Sequence, residues 1–127
     1  MSLPLHLLLV EDREDDEILI SRAFARAGFL PRCQRVQTAE TLAAALRARS
    51  DWAALLCDSV PCLDVHHVVS IARGARPALP IVVVSGREDR EWRTAIERLA
   101  DAFIRKDRLE DVPAIVKGLQ CAPPRCW

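Results

Sequence analysis

Apolar runs and amphipathic stretches alternate along the whole chain. Leu5–Val10 is an apolar run that stops at Glu11-Asp12, as expected of a strand covered on both faces. Ile20, Ala23, Phe24 and Ala27 then recur at helical spacing within Asp15–Ala27, and Gly28 supplies a C-terminal stop. Arg32–Val36 reads as a more polar strand, suited to a sheet edge. Either Thr38 or Thr41 would cap the following helix, which carries Leu42, Ala45 and Leu46. Ala53–Cys57 is a second buried run, ending at Asp58. Val65–Arg73 predicts a helix closed by Gly74, and Ile81–Val84 a strand ending at Ser85-Gly86. A charged helix over Arg87–Leu99 and a short strand over Ala102–Ile104 follow. Leu109, Val112, Ile115, Val116 and Leu119 form a last amphipathic stripe, stopped by Pro123-Pro124. Strand and helix alternate throughout. This order predicts an α/β fold, a parallel sheet with helices on both faces.

Length and charge narrow the class. A chain of 127 residues suits one domain, with a core over about 5–119 and a tail over 120–127. Lys plus Arg, at 18, equals Asp plus Glu, so no general field draws the chain to nucleic acid or to an anionic membrane. Cys33, Cys57, Cys62, Cys121 and Cys126 show no C-x-x-C spacing, and their odd number fits reduced thiols in the cytoplasm. Cys57 reads as a small core residue. The first ten residues lack the basic start and cleavage site of a secretory signal. No apolar run reaches the roughly 18 residues needed to span a bilayer.

In a sheet of this kind ligands bind beyond the carboxyl ends of the strands. The residues expected there are Glu11 and Asp12, Asp58, Ser85 and Lys106. Carboxylates gathered at one rim repel one another and require a cation or protons. Hard oxygen donors in small number suit Mg2+, which keeps several waters and accepts phosphate as a further ligand. Asp58 would then be the nucleophile of a phosphoryl transfer, with Lys106 and the Ser85 hydroxyl holding the equatorial oxygens. Gly86 would leave room for the incoming group.

The segments LLLVEDREDDE, ALLCDSVP, IVVVSG and DAFIRKD, in this order, resemble the signature stretches of response-regulator receiver domains. The resemblance covers about Leu5 to Leu119. It implies a flavodoxin-like, doubly wound five-stranded parallel sheet of strand order 2-1-3-4-5. It further implies a phosphoacceptor, not an enzyme, at Asp58, served by a histidine kinase or a histidine phosphotransfer protein. Asp12 would be a direct Mg2+ ligand, Glu11 would act through water, and the Val60 carbonyl would be a further ligand. Ser85 matches the hydroxyl of the family's switch and Phe103 its aromatic partner. The sequence departs from the family pattern in three places. Pro61 stands three residues after Asp58 where four is usual, Val65 replaces a glycine, and Asp107 replaces the proline after the lysine, which disfavours a cis peptide there.

Other features carry weaker readings. Asp15 and Asp16 either join the acidic rim or, the preferred reading, are first-turn residues of a helix, where the dipole favours acids. His66 and His67 are adjacent on a helix and so point apart, which argues against a metal pair. Trp92 either packs on its neighbours or anchors a binding face such as that of a homodimer, and Arg93, Arg98, Arg105 and Arg108 make that face basic. A flavin or nucleotide site would share the fold, but the acidic loop after the first strand repels phosphate. The short stretch after Gln120 is too small for a DNA-binding output domain. A receiver-like module that is never phosphorylated is the main competitor.

Overall fold

The computed structural model describes residues 4–60, 63–87 and 89–120. Its strands are β1 (Pro4–Val10), β2 (Leu30–Val36), β3 (Trp52–Cys57), β4 (Ile81–Ser85) and β5 (Ala102–Arg105). The helices are α1 (Glu14–Arg26), α2 (Ala39–Ala48), α3 (Val65–Ala75), α4 (Arg90–Leu99) and α5 (Val112–Gln120), the last preceded by a 3-10 segment over Lys106–Asp111. All strand pairs are parallel, in the order β2-β1-β3-β4-β5. This is the flavodoxin-like, doubly wound arrangement expected from the sequence.

The two-residue period of the strands divides the core into two layers. Leu8, Val10, Leu55, Cys57, Ile81 and Val83 face α2, α3 and α4 through Leu42, Leu46, Val68 and Ile96. Leu7, Leu9, Leu56, Val82 and Val84 face α1 and α5 through Ile20, Phe24, Val112 and Val116. The three central strands are apolar on both sides because both sides are covered. Burial alternates along the edge strand β2.

Helix ends follow local chemistry. α1 stops in a Schellman arrangement: Gly28 N–H donates to the Ala25 carbonyl at 3.1 Å and Phe29 N–H to the Phe24 carbonyl at 3.1 Å. Gly28 takes φ 94°, the left-handed region. The Phe24 and Phe29 rings meet edge to face at 5.9 Å and complete the motif. Thr38 and Thr41 do not compete at the start of α2. Thr38 is the cap, Thr41 closes a reciprocal capping box, and each side chain accepts the other residue's backbone N–H at 3.1 Å.

Two boundaries correct the sequence reading. Gly74 lies inside α3 and does not end it; Arg76 N–H closes the last turn on the Ala72 carbonyl. The charged helix begins at Arg90, because Asp89 caps it through the Trp92 N–H at 3.2 Å. At the opposite end of the sheet from the carboxyl rim, the Asp101 carboxylate accepts from Ile81 N–H at 2.8 Å and from Arg73 at 2.9 Å, pinning α3 to the start of β4. No peptide bond among the described residues is cis, including that before Asp107. Pro61, Cys62, Cys121, Pro123, Pro124 and Cys126 lie outside the described residues.

Candidate phosphoacceptor site

The chain reverses direction across the sheet between β1 and β3, whose last residues, Val10 and Cys57, are paired in register. The residues that follow are therefore neighbours: Asp58 N–H donates to the Val10 carbonyl at 3.0 Å. Glu11 and Asp58 thus leave the sheet side by side at the switch point, where open α/β sheets place their ligands. Taken as whole residues, the buried polar or charged ones among the described residues are Glu11, Asp58 and Ser85, all at this rim. Burying such groups is costly without partners, so their concentration in one place marks a site.

Each group has identifiable partners. Glu11 Oε1 accepts the N–H groups of Asp12 and Arg13 at 3.1 and 3.2 Å. Asp58 Oδ1 accepts Ser59 N–H at 2.7 Å, and Oδ2 lies 2.6 Å from Lys106 Nζ. Lys106 also donates to Asp16 Oδ2 at 2.6 Å and stands 3.7 Å from Glu11 Oε2. The Ser85 hydroxyl accepts Arg87 N–H at 3.1 Å. A Cβ added at Gly86 would meet only the Lys106 side chain, at 3.9 Å, so the loop after β4 stays open beside the lysine.

One ammonium faces three carboxylates, and the imbalance appears in their protonation. Burial, and next the Asp58 charge, push the Glu11 carboxyl up to about 7. Burial works against the Lys106 charge, but hydrogen bonds to Asp16 and Asp58 outweigh it and hold the ammonium protonated well above its usual range. Cys57, buried behind Asp58, has its thiol pushed far up by desolvation and is inert as a nucleophile.

Oxygens of Glu11, Asp16 and Asp58 lie within 4.8 Å of one another, a spacing and donor chemistry that fit a hard divalent cation. The charge deficit that raises Glu11 is what such a cation would relieve. Asp16 corrects the sequence reading. It sits in the first turn of α1 as expected, but half-buried and turned onto Lys106, whereas Asp15 is exposed. The only signal for it in the sequence was its place one turn into the helix that starts at the rim. Asp12 is exposed and outside the carboxylate group, while Glu11 is the buried acid within it. The Val60 carbonyl already accepts Leu63 N–H at 3.3 Å, a tight closure after Asp58 in keeping with the short loop.

The switch candidates lie to one side. Phe103 is half-buried, edge-on to Trp92 at 6.1 Å and under the Arg93 guanidinium at 5.0 Å. Trp92 packs on its neighbours and is covered by Arg87 at 4.6 Å. His66 and His67 are exposed at the start of α3. Among the described residues no helix is long and apolar enough to cross a membrane.

No protein-family model and no curated protein matches the sequence. Solved structures do match. A response regulator in red light signaling of R. palustris is 20% identical, with a TM-score of 0.77 over 97% of this chain and 99% of its own. A response regulator receiver protein from Sinorhizobium medicae is 24% identical, with a TM-score of 0.73 over 94% and 96%. The receiver domain of a sensor histidine kinase from Pseudomonas aeruginosa, solved with a magnesium ion coordinated in its active site cleft, is 18% identical, with a TM-score of 0.77 over 94% and 100%. The chain has the fold of response-regulator receiver domains.

Proposed function

We propose that this chain is the phosphoacceptor receiver of a two-component or phosphorelay system, taking a phosphoryl group onto Asp58 from a histidine kinase or a histidine phosphotransfer protein. The observation that carries the reading is the buried Asp58 carboxylate, held 2.6 Å from Lys106 and grouped with Glu11 and Asp16 at the switch point of a receiver fold. An Asp58 oxygen attacks phosphorus, the phosphorus–nitrogen bond of phosphohistidine breaks, and the imidazole leaves with the electron pair and takes up a proton. Lys106, already bonded to Asp58, neutralises charge on the transferred group. Asp16 holds the lysine from the α1 side, so the ammonium stays at the rim. Glu11, Asp16 and Asp58 would hold Mg2+, the ion seen in the Pseudomonas aeruginosa receiver. When bound, that ion supplies charge neutralisation at the phosphoryl oxygens. Phosphorylation draws the Ser85 hydroxyl toward the new group, and the shift passes to Phe103 and the α4–β5 face. The chain acts as an acceptor and switch, not as an enzyme that releases a product, and we place it in the cytoplasm.

A second reading is an unphosphorylated interaction module. The Val60 carbonyl's engagement with Leu63 N–H and the exposure of Asp12 favour it. Treatment with acetyl phosphate and Mg2+, followed by intact-mass measurement, separates the two. A gain of one phosphoryl group in the wild type but not in Asp58→Asn supports the receiver. Equal labelling of both proteins defeats the assignment of Asp58, and no labelling of either favours the interaction module.

A further inference from the structure

Val83 of β4 pairs in register with Phe103 of β5, and Ser85 with Arg105. Side chains two apart on a strand share a face, so Val83, Ser85 and Phe103 all stand on the side of the sheet that α4 covers. Phe103 is therefore one strand over from Ser85 and two residues back, about 7 Å along the strand direction. A turn about the Phe103 side-chain torsion carries the ring toward the hydroxyl or away from it and requires no change of backbone.

In this structure the ring is turned onto α4 and gripped there. It meets the Trp92 indole edge to face, with centroids 6.1 Å apart and planes at 75°, and the Arg93 guanidinium lies over it at 5.0 Å. Both partners are themselves fixed. Arg93 Nε donates to Glu97 Oε1 at 2.8 Å, one turn further along the helix. Trp92 N–H donates to Asp89 Oδ1 at 3.2 Å. The other oxygen of Asp89 accepts from Arg87 at 3.2 Å, and that guanidinium lies 4.6 Å over the indole. Each arginine of the stack thus has a carboxylate of its own, and the pairing positions it against a ring. Phe103 is the one member that the sheet contributes. A phenylalanine of the core looks different: Phe24 is fully buried, whereas Phe103 is half-buried and its aromatic and cationic contacts come from the α4 side.

We infer that the stack of Trp92, Phe103 and Arg93 is a latch, which holds the switch ring against α4 and so limits how readily Asp58 is phosphorylated. The inference rests on the receiver reading and names a regulation of that site. An aromatic edge contact and a cation over the ring together favour the latched rotamer by roughly tenfold. Phosphorylation that draws the Ser85 hydroxyl away turns the ring after it, and these contacts must then break. A contact made only in the resting state lowers the population of the competent one. Loosening the latch therefore raises that population, and with it the rate of phosphoryl transfer.

Intact-mass kinetics with acetyl phosphate and Mg2+, on the full chain, test the latch. Arg93→Ala and Trp92→Ala should each be phosphorylated about fivefold to tenfold faster than the wild type. Arg93 is exposed, so its variant keeps the test valid even where Trp92→Ala loosens the fold of α4. Arg47→Ala, an equal loss of charge at an exposed position of α2, should leave the rate unchanged. In a Phe103→Leu background Arg93→Ala should add nothing, because the ring through which it acts is gone. With 4-fluorophenylalanine at the three phenylalanine positions, the Phe103 signal of unphosphorylated Arg93→Ala should move toward its place in the phosphorylated wild type. Variants no faster than the wild type, an acceleration shared by Arg47→Ala or kept in Phe103→Leu, or an unmoved Phe103 signal would each overturn the latch and leave the receiver reading standing. A wild type that takes no phosphoryl group defeats the receiver reading itself, and the latch with it.

Discussion

Glu11 is the residue on which protonation and stability meet. Its carboxyl titrates at about 7 in the folded chain against an ordinary value of 4.5. The folded state therefore binds the proton more tightly than the unfolded state, and stability falls as pH rises between these two values. Below about pH 4.5 the acid is neutral in both states and costs nothing; above about 7 the full penalty of a buried charge applies. The difference amounts to about 3 kcal/mol of metal-free stability. Urea unfolding in EDTA at pH 5, 6, 7 and 8 should show the decline, and Glu11→Gln should remove most of it. A wild-type stability that rises over the same range would contradict the placement of this carboxyl. The sequence marked Glu11 as a rim acid but not as the buried one. Which of two adjacent acids turns inward depends on the backbone at the end of β1, where Glu11 accepts the next two N–H groups and Asp12 faces solvent.

At the scale of elements, glycines separate by conformation. Gly28 has φ 94° and open space around its Cβ position, so Gly28→Ala costs only backbone strain, about 1–2 kcal/mol. Gly74 sits within α3, also in open space, and Gly74→Ala should stabilise by about 0.5–1 kcal/mol through helix propensity. Opposite signs in thermal or urea unfolding check both assignments; a stabilising Gly28→Ala would refute the Schellman end of α1. The sequence presented both residues as stops, because a glycine after an apolar stripe looks the same in either role. At α3 the Ala72 carbonyl finds Arg76 N–H, and the helix runs past Gly74. The strands were easier to read. Ala53–Cys57 and Ile81–Val84 are apolar on both faces, and only a covered parallel strand tolerates that.

For the whole molecule, the acidic rim and the stability of the fold are coupled. A divalent ion that binds only the folded chain stabilises it by about 2.7 kcal/mol at one hundred times its dissociation constant. Because the ion competes with the Glu11 proton, the effect should be larger at pH 8 than at pH 6. Thermal unfolding with increasing MgCl2 measures this, with CaCl2 and NaCl as comparisons. Asp58→Asn and Asp16→Asn should both reduce the shift. A shift that NaCl reproduces, or one that is greater at pH 6, would exclude a specific site.

The sequence by itself determined the alternation of strands and helices, the placing of β1, β3 and β4 in the interior and the set of rim residues at strand ends. These follow from the periodicity and hydropathy of short segments, which are local properties of the chain. Only the tertiary structure decided that Asp16 closes on Lys106 across 90 positions of sequence. It likewise decided that Glu11 is buried and Asp12 exposed. Such contacts depend on how α1 lies against the sheet, and no spacing along the chain encodes that angle.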